Sequence, residues 1–136
     1  MNSIDLPYAR LRYEFPVVYI QFKDHTEIGY PEVLELVRSA EALSGYKPYV
    51  VLADARKTVS VTPEGKKFSL SPSVAPLHYG TAVLVHSKMI EAAATVFIRF
   101  AHIPFPYKVF ADEEKAVGWL RALRSDSQEG PFRKRA

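Results

Sequence analysis

Four histidines, His25, His78, His86 and His102, are the side chains in this chain of 136 residues best suited to move a proton near neutral pH or to bind a metal. A metal pair on one helix needs histidines one turn apart, as in His-Glu-x-x-His, and a strand pair needs His-x-His. None of the four stands at either spacing to another. Convergence in space is the remaining route. His86 closes the apolar run GTAVLVH, and Asp54 closes the apolar run YVVLAD. If those runs are neighbouring parallel strands, both residues leave the sheet at the end where open α/β proteins gather ligands. Asp54 and His86 are therefore the pair to consider for acid–base chemistry. A polar residue leaving a buried strand is also satisfied by nearby loop backbone, and that is the plainer expectation.

Other routes to catalysis close quickly. The chain has no cysteine, which excludes thiol nucleophiles, disulfides and thiolate metal sites. It has no Gly-x-Ser-x-Gly elbow and no Gly-x-Gly-x-x-Gly loop. The adjacent Glu113 and Glu114 fall where a helix first turn favours negative charge. No catalytic residue, metal ligand or cofactor-binding residue is assigned, and the chain reads as a non-enzyme.

The stretch VSVTPEGKKF, residues 59–68, is a helix start: Thr62 suits the N-cap, Pro63 the first helical position and Glu64 the positive end of the dipole. It is not a Walker loop, because Ser60 stands where the first glycine belongs and Lys67 follows Lys66 in place of Ser or Thr. An anion held by Lys57, Lys66, Lys67 and the helix amides would meet repulsion from Glu64.

These residues must be positioned by regular elements. ARLRYEF alternates apolar and charged residues, the pattern of a half-exposed edge strand, and VVYIQF after Pro16 pairs with it antiparallel. KDHTEIGY reads as loop. A helix opens at Pro31, carries Val33, Leu36, Val37, Ala40 and Leu43 on one face and stops at Gly45. YVVLAD and GTAVLVH are apolar throughout, as central parallel strands are when both faces are covered. YKVFAD is a final strand, and Asp112 caps a last helix with Ala116, Val117, Leu120 and Leu123 inward. The order β-β-α-β-α-β-α-β-α, with right-handed crossovers, gives an open α/β sandwich: about five strands, the edge strand antiparallel and the rest parallel, with about four helices mainly on one face.

The third helix, residues 88–101, carries more apolar surface than one sheet covers. Its polar residues Lys88, Glu91, Thr95, Arg99 and His102 form one stripe, and nearly everything else is apolar. Neighbouring helices and the aromatic loop IPFPY are one possible cover. A second copy of the chain is another, with Ala93, Val96, Phe97 and Phe100 as the self-association face. A small apolar or lipid-like ligand is the third.

Composition is that of an ordinary globular domain, 48% hydrophobic and 24% charged with a net charge of +3. The domain is placed at residues 1–124, and the basic residues 125–136 are expected to form a flexible tail. The longest apolar region, residues 92–98, is too short to insert across a membrane. The N-terminus lacks the apolar core of a signal peptide, so a cytoplasmic location is expected. Basic residues are scattered without interleaved aromatics, which argues against nucleic acid.

The succession KPYVVLADARKTVSVTPEGKKF, GTAVLVHS and PFPYKVFADEEKAVGWL resembles a small family of uncharacterised bacterial proteins with the STAS-like fold. That fold is shared with anti-sigma factor antagonists, cytoplasmic domains of sulfate transporters and, more distantly, lipid-binding Sec14 domains. The resemblance spans residues 8–124. It implies a binding or regulatory protein acting through protein–protein contacts as a homodimer, or, by the Sec14 likeness, a carrier of a small apolar ligand. In anti-sigma factor antagonists an Asp-Ser-Ser-Gly motif opens a helix, and its second serine is phosphorylated. Aligned on its glycine, Thr62-Pro63-Glu64-Gly65 takes that place, and Glu64 stands where the phosphoacceptor would be. This chain departs from the phosphorylation switch there, and the resemblance implies a candidate docking surface for a regulatory protein partner at Thr62, Glu64, Lys66 and Lys67.

Overall fold

The computed structural model describes residues 2–74 and 77–129, with side-chain environments through Leu123. Eight strands and four α-helices follow in the order β1 (Ser3–Asp5), β2 (Ala9–Glu14), β3 (Val17–Phe22), β4 (Thr26–Ile28), α1 (Tyr30–Leu43), β5 (Tyr49–Asp54), β6 (Val59–Val61), α2 (Pro63–Ser69), β7 (His78–Leu84), α3 (Lys88–Arg99), β8 (Tyr107–Phe110) and α4 (Glu113–Glu129). Six strands form one sheet in the order β1-β2-β3-β5-β7-β8, and β4 pairs with β6 in a separate parallel ribbon. β1, β2 and β3 are antiparallel, while β3, β5, β7 and β8 are parallel.

The helix boundaries follow their caps. Ser87 accepts the amide of Ile90 at 3.1 Å, and Asp112 accepts that of Lys115 at 3.1 Å. Glu32 accepts the Gly29 amide at 2.8 Å at the start of α1, and Gly45, at φ 66°, turns the chain out of it.

Alternation along the central strands splits the core in two. Val18, Ile20, Tyr49 and Val51 face α1 and pack with Leu36, Ala40 and Leu43. Val17, Val50, Leu52, Ala82 and Leu84 face the other way and pack with Ala116 and Leu120 of α4. Each crossover from β3 to β8 steps in one direction across the sheet, which puts α1, α2 and α3 on one face, the front. α4 follows the last strand, is bound by no crossover, and covers the apolar back.

Three short strands go beyond the sequence reading. β1 displaces β2 from the edge, and its Asp5 is bound by Lys23 at 2.9 Å and Arg10 at 3.7 Å. β4 lies inside the stretch read as loop, and β6 is its partner. At three residues each, none carries enough alternation to announce itself; pairing defines them. α4 continues past residue 124 to Glu129. The remainder of the expected tail, residues 130–136, lies outside the described residues.

Candidate functional site

The site begins with an irregularity in β7. Tyr49 of β5 pairs with His78 and Val51 pairs with Thr81, so two steps on β5 face three on β7. The extra residue is a β-bulge, and Gly80 sits in it. A Cβ at Gly80 would come within 2.6 Å of the Leu123 side chain and 3.1 Å of the Pro106 carbonyl. The bulge turns Tyr79 and Gly80 toward the back, leaving His78 and Thr81 together on the front. Strict alternation would have separated them. His78 Nε2 and Thr81 Oγ1 lie 2.6 Å apart.

His78 is only 9% exposed. Its ring meets Phe105 edge-on at 4.5 Å and lies 5.9 Å from Tyr49. Burial pushes its pKa down to about 4, a shift that the backbone of Gly80 partly offsets, so the imidazole is neutral at pH 7. Nδ1 has no hydrogen bond of good geometry among the described residues.

Above these residues the front of the sheet is open. A cleft of about 240 Å³ has its floor on β3, β5, β7 and β8, including Ile20, Val51, Ala53, Thr81, Val83 and Tyr107. Val33, Leu36, Val37 and Ala40 of α1 form one wall, and Val59, Val61, Ser69 and Val74 form the rim. The rim is pinned by backbone. Asp24 accepts the Thr58 amide at 2.9 Å, and the Thr62 amide reaches Ile28 O at 2.9 Å. That Thr58 bond leads the effects holding the Asp24 carboxyl below its ordinary pKa.

α3 contributes nothing to the cleft lining. It packs on β8, where Glu91 accepts the Ala111 amide at 2.7 Å, and Glu91, Ala94 and Ile98 are its half-buried side. No residue of α3 is buried. Phe97 is 56% exposed, Phe100 77% and Met89 82%, with Ala93 and Val96 exposed beside them. Cover by neighbouring helices and the IPFPY loop is therefore not what the monomer shows: the apolar stripe stands open beside an open cleft.

The helix start at α2 has a structural logic of its own. Thr62 Oγ1 accepts the Gly65 amide at 3.0 Å. Gly65 is buried because the first turn rests on the Ile28–Gly29 backbone, where a Cβ would meet Ile28 O at 2.8 Å. Glu64, Lys66 and Lys67 are exposed, and Lys66 Nζ lies 4.6 Å from the Phe97 ring centroid.

Asp54 ends β5, but β7 stops at Leu84, so His86 lies beyond its strand, and the two residues do not act together here. Asp54 is gripped by the Arg56 side chain at 2.7 and 2.9 Å, and Arg56 also reaches Glu113 at 3.3 Å. Burial pushes the Asp54 carboxyl up, and the Arg56 contacts outweigh it and hold it below the usual carboxylate range. His86 is exposed and shares no hydrogen bond or ion pair with Asp54 among the described residues. Among the described residues no group of three or more His, Asp or Glu side chains could hold a metal, and no helix is long and apolar enough to cross a membrane.

The histidine that matters to the cleft is His78, which sequence spacing passed over in favour of His86. The signal was Gly80, a glycine inside an otherwise apolar strand, which marks a bulge.

The six-stranded mixed sheet with its four helices is a STAS-like α/β fold. The chain belongs to the family described as Domain of unknown function (DUF7793), whose model matches residues 12–124. It is similar in structure to an uncharacterised protein of the DUF3478 family with a SpoIIAA-like fold from Shewanella loihica PV-4. The TM-score is 0.54 at 20% identity, covering 82% of this chain and 91% of that one. The likeness concerns the fold. No curated protein matches the chain.

Proposed function

We propose that this protein binds a small apolar molecule in the front cleft and works as a carrier or sensor of it. The observation that carries this reading is the 240 Å³ cleft itself, whose lining is apolar apart from a few hydroxyls and one neutral histidine. A cavity of about 150 Å³ with similar walls accepts benzene, so this one has room for a longer chain. Water entering it would find few partners, and displacing such water by an apolar group is favourable.

A second reading is supported by a separate observation. The open stripe of α3, with Ala93, Val96, Phe97 and Phe100, is the kind of surface a second copy covers. The exposed Thr62–Lys67 turn beside it would extend that surface toward a regulatory protein partner.

Native mass spectrometry of freshly purified protein tests both, because one spectrum reports stoichiometry and retained mass. A monomer carrying extra mass supports the ligand reading. A dimer without extra mass, in which Ala53→Trp fills the cleft and changes nothing, would overturn it in favour of assembly.

A further inference from the structure

The cleft is lined by residues of one electrical kind. Among the described residues, none of the side chains lining it is Asp, Glu, Lys or Arg. His78, part of its lining, is held neutral by burial. An ionised head group drawn into such a place would lose its hydration and gain no countercharge, a cost far above that of burying an alkyl chain. The cleft is not featureless, however. Thr81 lines it and is half-exposed, and its hydroxyl is tied on one side to His78 Nε2 at 2.6 Å. A hydroxyl has one proton and two lone pairs. With one link used by His78, Thr81 retains capacity for a second partner on the cleft side.

We infer that the molecule taken by the cleft is an uncharged amphiphile, an alkyl chain with a single hydrogen-bonding head such as a hydroxyl, whose head meets Thr81. His78 is a positioning residue that fixes the Thr81 hydroxyl. Carboxylates and alkylammonium ions of the same chain length are excluded. This rests on the ligand reading of the cleft given above. The cleft exceeds the roughly 150 Å³ cavity that accepts benzene, which suits a medium-length chain.

The test is competition against the neutral fluorescent probe N-phenyl-1-naphthylamine, with 1-octanol, octane, octanoate and octylammonium as competitors. Octanol is expected to displace the probe about tenfold or more better than either ion at neutral pH. Octanoate should improve as acidification neutralises it. In Thr81→Val, octanol should weaken by about tenfold while octane does not, because only octanol loses a partner for its hydroxyl. Thr81→Ser, which keeps the hydroxyl, should restore octanol binding. Either ion competing as well as octanol overturns the inference, and so does a Thr81→Val protein that binds octanol unchanged. Failure of the probe to bind saturably is a different result: it removes the ligand reading of the cleft, and this inference with it.

Discussion

Both faces of the central strands are apolar, yet they are finished differently. On the back, α4 lays Ala116 and Leu120 against Val50, Leu52, Ala82 and Leu84, and neither of the two helix residues is exposed at all. On the front, α1 fills only the half of the sheet near β2 and β3, and α3 stands over β8 with no residue buried. α3 is more apolar in sequence than α4, yet it is the one left open. What separates them is where the chain puts them: α4 is free to settle over the strand centres, whereas α3 is tethered between two neighbouring strands. An apolar stripe thus identifies a face that wants cover without saying what supplies it.

The contrast can be broken or sharpened by measurement. The largest effect belongs to the back. Leu120→Ala empties a site with 0% exposure and should cost about 2–5 kcal/mol in urea unfolding. A loss below about 1 kcal/mol would mean that the back is no better packed than the front.

Next comes the pH response of the front. His78 titrates at about 4 in the folded chain, against 6.5 for the unperturbed group. On acidification the unfolded chain takes up this proton first. Stability is therefore complete above pH 6.5, falls as pH drops toward 4, and has lost about 3 kcal/mol from this group once below it. The carboxyls of Asp24 and Asp54, held low by their partners, add their losses below the ordinary carboxylate range. Flat urea midpoints between pH 7 and 5 would show that His78 is not buried as described.

Smaller again is Thr62→Ala, which removes the cap of α2 and should cost about 1 kcal/mol by thermal or urea unfolding. A much larger loss would make α2 part of the core and not a rim. The smallest effect is expected at Phe100→Ser on α3, within about 0.5 kcal/mol of the parent, because the ring is 77% exposed. Collapse of the fold in that variant would erase the distinction between the two faces.

Much of this was readable in the residues. Ser87, Asp112, Thr62 and Gly45 mark helix ends by local chemistry, and local chemistry survives in the fold. The apolar runs of β5 and β7 are central parallel strands, and the cover they ask for is met on the back and only in part on the front. The surplus on α3 was visible as a stripe at 93, 96, 97 and 100. The ribbon of β4 and β6 was not, since it exists only through pairing between segments some thirty residues apart. The cleft was hidden for a similar reason: its residues read as ordinary core, and it exists because α3 lies elsewhere. The partnership of His78 and Thr81 depends on one extra residue in a ladder, which alternation conceals and Gly80 alone hints at.

The sheet's two ends carry a further consequence. β1 is three residues long and laced to Lys23 and Arg10 by charge, and β8 is four residues long, shows Lys108 to solvent and is flanked by α3. Short, charged and covered edges are poor templates for strand addition. An open apolar helix is ordinarily an association hazard, and these short edges give such association little strand ladder to extend.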